Sequence, residues 1–80
     1  MSIDKDYKVL VSLGDKLLAS YTLHTEYEDG EYVDISSSHT VGEPDNDPIE
    51  EEAVDLILES GEASGKENVE GYTVEWHLLN

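Results

Sequence analysis

Apolar residues recur at every second position in three separate stretches of the chain, and that period commits those stretches to half-buried β-strands. Residues 7–13 read Tyr-Lys-Val-Leu-Val-Ser-Leu, with Tyr7, Val9, Val11 and Leu13 on one side. Residues 17–25 repeat the pattern with Leu17, Ala19, Tyr21 and Leu23. Residues 69–79 do so with Tyr72, Val74, Trp76 and Leu78 on one side and Thr73, Glu75 and His77 on the other. The last segment therefore reads as a final strand with its aromatic side inward. Because the side-chain period is two, a slip of one residue turns a whole strand over, so the apolar match selects the pairing. A three-residue loop, Gly14-Asp15-Lys16, sets Leu13 opposite Leu17, Val11 opposite Ala19, Val9 opposite Tyr21 and Tyr7 opposite Leu23. A second three-residue loop, Glu28-Asp29-Gly30, pairs Thr25 with Val33 and Leu23 with Ile35. Two hairpins then share one apolar face as a three-stranded meander.

Between the meander and the final strand lies one helical pattern. Residues 36–47, Ser-Ser-Ser-His-Thr-Val-Gly-Glu-Pro-Asp-Asn-Asp, form a loop by composition. Asp47 before Pro48 is a helix start: a capping side chain, then proline at the first helical position. Glu50, Glu51 and Glu52 follow in the first turn, where the helix dipole favours negative charge. Ile49, Ala53, Leu56 and Ile57 make an apolar stripe, widened by Val54 and Leu58, that faces the open side of the meander. Gly61 stops the helix, and the Gly-, Ser- and Glu-rich residues 60–68 form a second loop. The expected fold is thus α+β: an antiparallel three-stranded meander, one helix packed on the sheet, and a final C-terminal strand, in the order β-β-β-α-β. All of it belongs to a single domain, residues 1–80. The pattern leaves open whether the final strand lies beside the first or the third.

Charge narrows the function. Asp and Glu number 20 and Lys and Arg 4, for a formal charge of −16. The basic residues are Lys5, Lys8, Lys16 and Lys66. Direct binding of nucleic acid requires cations at several phosphates, so it is excluded. Anionic membrane surfaces would repel the chain, and no run of about 18 apolar residues offers a transmembrane span. The segment Met-Ser-Ile-Asp-Lys-Asp lacks an apolar signal core, so cytoplasmic residence is expected. The chain holds no cysteine, which removes disulfides, thiol catalysis and cysteine zinc sites.

No nucleophile elbow or phosphate loop is present. His24, His39 and His77 lie at no close ligand spacing, and His24 and His77 fall on the outer face of the sheet as solvated side chains. Asp45-Asn46-Asp47 is rich in oxygen ligands, but Pro48 and the helix start break the EF-hand pattern. The expectation is a non-enzyme with no cofactor and no metal.

The carboxylates fall in three stretches. Glu26, Glu28, Asp29, Glu31 and Asp34 surround the second hairpin. Glu43, Asp45, Asp47, Glu50, Glu51, Glu52, Asp55 and Glu59 follow the loop and helix. Glu62, Glu67, Glu70 and Glu75 occupy the last third. Glu51, Asp55 and Glu59 step by four residues, about 6 Å along a helix axis. Like charges so spaced destabilise a helix by a few tenths of a kcal/mol. Such rows are either a solvation device or a field shaped for a partner.

Size, absence of cysteine and arginine, a quarter of acidic residues and an α+β meander together resemble the small phage-encoded inhibitors of the anti-CRISPR and DNA-mimic type. The resemblance lies in the character of the whole chain, and no motif transfers a residue role. It implies a non-enzymatic inhibitor that presents an acidic, nucleic-acid-mimicking surface to the basic groove of a nucleic-acid-binding protein or complex, such as a CRISPR effector. If the chain is phage-encoded, it would act in the host cytoplasm. The expected contact residues are Glu26, Glu28, Asp29, Glu31 and Asp34 on the hairpin, with Glu50, Glu51, Asp55 and Glu59 on the helix. Tyr27 and Tyr32 flank the hairpin, either as interface aromatics or as ordinary cross-strand packing. The alternatives are a salt-adapted acidic domain and an adaptor for a basic protein. The chain would be a monomer, or a homodimer through Val54 and Leu58.

Overall fold

The computed structural model describes residues 2–42 and 49–79. It corrects the expected order: the chain runs β-β-β-α-β-β, an antiparallel sheet of five strands with one short helix. The strands are β1 (Ser2–Leu13), β2 (Lys16–Glu28), β3 (Glu31–Val41), β4 (Ser64–Val69) and β5 (Tyr72–Leu78), and the helix α1 is Glu50–Ser60. Spatial order is β3-β2-β1-β5-β4. The strand placed last by the sequence is thus β5, and it pairs with β1.

Parts of two expected loops are strands. Residues 36–41 continue β3, and residues 64–69 form β4. Both lie at sheet edges, where a strand has one neighbour and its side chains need not alternate. Asp47 and Pro48, expected as helix cap and first helical residue, fall outside the described residues, as does the Asp45-Asn46-Asp47 stretch. The N-cap position is Ile49, with no side-chain cap bond. Its carbonyl accepts the first helical bond from Ala53 N at 2.8 Å.

The turns are tighter than expected; a bulge restores the expected register in the first hairpin, while in the second the pairing moves by two residues. Between β1 and β2, Val11–Ala19, Val9–Tyr21 and Tyr7–Leu23 pair as the apolar pattern requires. At the tip, however, Leu13 pairs with Lys16 and Ser12 with Leu17, leaving Leu18 as an extra residue. Leu13 and Leu17 are consequently exposed. The second turn is Asp29-Gly30, with φ of 53° and 90°. A two-residue turn positive at both positions is what Asp-Gly supplies at low cost. Thr25 therefore pairs with Ile35 and Leu23 with Ser37, and Val33 is the extra residue.

The core lies between the sheet and the helix. Val9, Val11, Tyr21, Leu23, Val74 and Trp76 supply the sheet side, and Ile49, Ala53 and Ile57 the helix side. Fully burying each large aliphatic side chain contributes about 1.5–3 kcal/mol over leaving it exposed. Trp76 donates its indole N–H to the Glu62 carbonyl at 3.2 Å. Its ring fills the space over Gly65: a Cβ there would lie 2.4 Å from the ring.

β5 pairs with β1 only from Tyr7 to Ser12. Residues 2–5 of β1, with the ends of β2 and β3 around the Asp29-Gly30 turn, therefore project as a three-stranded ribbon. The molecule is correspondingly long, 41 × 21 × 19 Å.

Candidate functional site

The projecting ribbon gathers carboxylates from three strands. Strand alternation and the observed pairing fix which of them share a face. Asp4 pairs with Glu26, and Glu26 pairs with Asp34, so three carboxylates stand abreast on adjacent strands. Cα atoms paired in this way lie about 4.5–5.5 Å apart. One step along, Asp6 pairs with His24. In the other direction, Glu28 pairs with Glu31 next to Asp29 in the turn. Asp4, Asp6, Glu26, Glu28, Glu31 and Asp34 thus form one acidic lobe on the face away from the helix. Asp4 and Asp6 were not in the expected site. Only the pairing of β1 with β2 brings them there, since they sit some twenty residues away in sequence.

Within the lobe, His24 is the counter-charge. Its Nδ1 lies 2.6 Å from Asp6 Oδ1, and its Nε2 lies 3.8 Å from Asp34 Oδ2. The hydrogen bond to Asp6 raises the His24 pKa above 6.5, and the charges of Asp6, Asp34 and Asp4 push in the same direction. His24 was expected as a solvated side chain; its side chain is 40% exposed, and it is also anchored to Asp6. His77 is exposed. Lys5 projects from the opposite face of the ribbon, paired with Thr25.

The helix residues of the expected site do not join this lobe. Glu51, Asp55 and Glu59 are exposed on α1, on the other side of the sheet. Glu50 is turned inward: Ser37 donates a hydrogen bond to it, and His39 Nε2 lies 3.8 Å from its Oε1. His39, expected in a loop, is a residue of β3 with a buried side chain, whose ring packs on Tyr21 with centroids 4.6 Å apart. Val54, Leu56 and Leu58 are half-buried, and the first two pack against the core.

Tyr27 and Tyr32 pair across β2 and β3 edge-to-face, with centroids 5.0 Å apart. They lie with Ile3, Lys5 and Thr25 around a concavity of about 430 Å³ on the helix side of the ribbon, so they back the lobe and do not extend it. Among the described residues, no helix is long and apolar enough to cross a membrane. Comparison with family models, with curated proteins and with solved structures returns no match.

Proposed function

We propose that the chain is a non-enzymatic inhibitor whose acidic lobe occupies a basic, nucleic-acid-binding groove of a partner protein in the cytoplasm. The observation that carries this is the row Asp4–Glu26–Asp34, three carboxylates abreast with no lysine between them. Like charges directly opposite on neighbouring strands cost roughly 0.2–1 kcal/mol per pair. The Glu28–Glu31 pair adds the same kind of cost. A sheet that only needed solubility would alternate signs here. Spacings of about 5 Å across strands and about 7 Å along them are of the order of phosphate spacing along a nucleic-acid strand. Such a field would steer the chain to a cationic cleft and release its counterions.

The direct test is charge reversal at the ribbon end, with Glu28→Lys and Glu31→Lys together. Each residue faces the other, so the pair itself stays like-charged. Asp29 is left alone because its φ of 53° suits Asp better than Lys. The double variant is expected to lose partner capture at physiological salt by at least about tenfold while its circular-dichroism spectrum stays that of the parent. Undiminished capture by a folded double variant contradicts the assignment.

A further inference from the structure

The sheet has two edge strands, and they handle exposure differently. An edge offers unpaired N–H and C=O groups, and proteins protect it by shortening it or by placing lysine or proline on it. β4 follows that rule, with six residues and Lys66 among them. β3 is protected only toward its ends, by the charges of Glu31 and Asp34 and by bulges, and its eleven residues include neither lysine nor proline. Its extra residues, Val33 and Thr40, bracket an uninterrupted ladder that includes Asp34 to Ser38. Ser36, Ser37 and Ser38 are small, so no bulky side chain of this stretch bars an approaching chain.

A groove of about 330 Å³ runs beside this edge, between β3 and α1. Leu23, Ile35 and Val54 give it an apolar lining, and Glu50, Glu51 and Asp55 an acidic one. No lysine lines it; Lys8 reaches only Thr40, beyond the ladder.

We propose that the β3 edge from Asp34 to Ser38 takes up an extended, lysine- or arginine-rich segment of a partner protein as a sixth strand. Side chains of an added strand alternate between faces. On the helix side, a lysine or arginine stem lies along Ile35 and Val54 while its charged head reaches Glu51 and Asp55. On the other side, the intervening residues meet Asp34, Ser36 and Ser38. Charge selects the occupant: a second copy brings another −16, whereas a cationic segment neutralises the groove. The inference rests on the proposed function for the sign of the partner's charge. It adds a main-chain mode of capture at a place apart from Glu28 and Glu31.

The test is an NMR titration of the full chain, in about 150 mM salt, with a ten-residue peptide alternating lysine and threonine. Three forms are compared: unmodified, N-methylated at odd residues, and N-methylated at even residues. Methylation removes the donors along one side of the peptide and leaves its charge unchanged. The unmodified form is expected to shift amides centred on Ile35–Ser38. One methylated form should bind at least about tenfold more weakly, and the other within about twofold. The Glu28→Lys, Glu31→Lys variant should bind the unmodified peptide within about twofold, which separates failure of the lobe from failure of the edge. Equal affinity of all three forms overturns strand addition and leaves the lobe untouched. Absence of peptide binding overturns it as well, as do the same amide shifts arising from protein concentration alone.

Discussion

At the residue scale, His24 is the group whose behaviour follows most directly from its neighbours. Its hydrogen bond to Asp6, aided by the charges of Asp6, Asp34 and Asp4, raises its folded-state pKa above 6.5. A raised histidine pKa stabilises the fold fully below the unfolded value of about 6.5, and the contribution fades as pH rises through the folded value. Thermal melts of the parent and His24→Gln should therefore differ most near pH 6 and converge in alkaline buffer. An NMR titration of the His24 ring should give a midpoint above 6.5 that Asp6→Asn lowers. A parent midpoint at or below 6.5 contradicts the bond. None of this was legible in the chain, because Asp6 and His24 meet only through the β1–β2 register. Alternation correctly placed His24 on the outer face, but alternation alone names no partner. His39 was misplaced for the opposite reason: its polar neighbours Ser36–Ser38 look like a loop, yet the strand carries it beneath the helix start.

At the element scale, the sequence revealed the strands that bury one face and hid those that do not. Val9, Val11, Ala19, Tyr21, Leu23, Val74 and Trp76 alternate because each faces the helix-side core. Three of the four expected β1–β2 pairs hold for that reason. β4, reading Ser-Gly-Lys-Glu-Asn-Val, contributes no large residue to the core except half-buried Val69, so no period betrays it. Gly65 is small because the Trp76 ring lies over it, and that requirement is visible only once the two strands are paired. Turn lengths failed through bulges: Leu18 lets a two-residue turn coexist with the apolar register of β1 and β2, whereas Val33 keeps the faces of β3 but moves its pairing by two residues, so that Leu23 meets Ser37 and not Ile35. The same pairing makes Glu26 the middle of three carboxylates, so its charge opposes folding. Glu26→Gln is expected to raise stability by about 0.5–1 kcal/mol in dilute buffer, measured by urea denaturation. The gain should shrink as salt screens the row. A loss of stability in dilute buffer contradicts the repulsion.

At the scale of the whole molecule, a net charge of −16 on an elongated body of 80 residues has two general explanations. A salt-adapted surface spreads acid evenly and needs molar salt to fold. A shaped field gathers acid at one place and folds without it. The lobe formed by Asp4, Asp6, Glu26, Glu28, Glu31 and Asp34 fits the second, while the exposed Glu51, Glu52, Asp55 and Glu59 of α1 and the exposed Glu62, Glu67, Glu70 and Glu75 lie outside it and fit the first. The chain should accordingly show a cooperative melt well above room temperature in dilute buffer, with only modest stabilisation in molar potassium chloride. A chain unfolded without molar salt favours adaptation. The sharper question is whether the lobe fills a site that nucleic acid would fill, and competition answers it. The partner captured from a lysate at physiological salt is challenged with increasing duplex DNA or single-stranded RNA. Displacement of this chain by nucleic acid is expected, with both ligands excluding each other at one site on the partner. A ternary complex in which partner, nucleic acid and this chain are held together would contradict it.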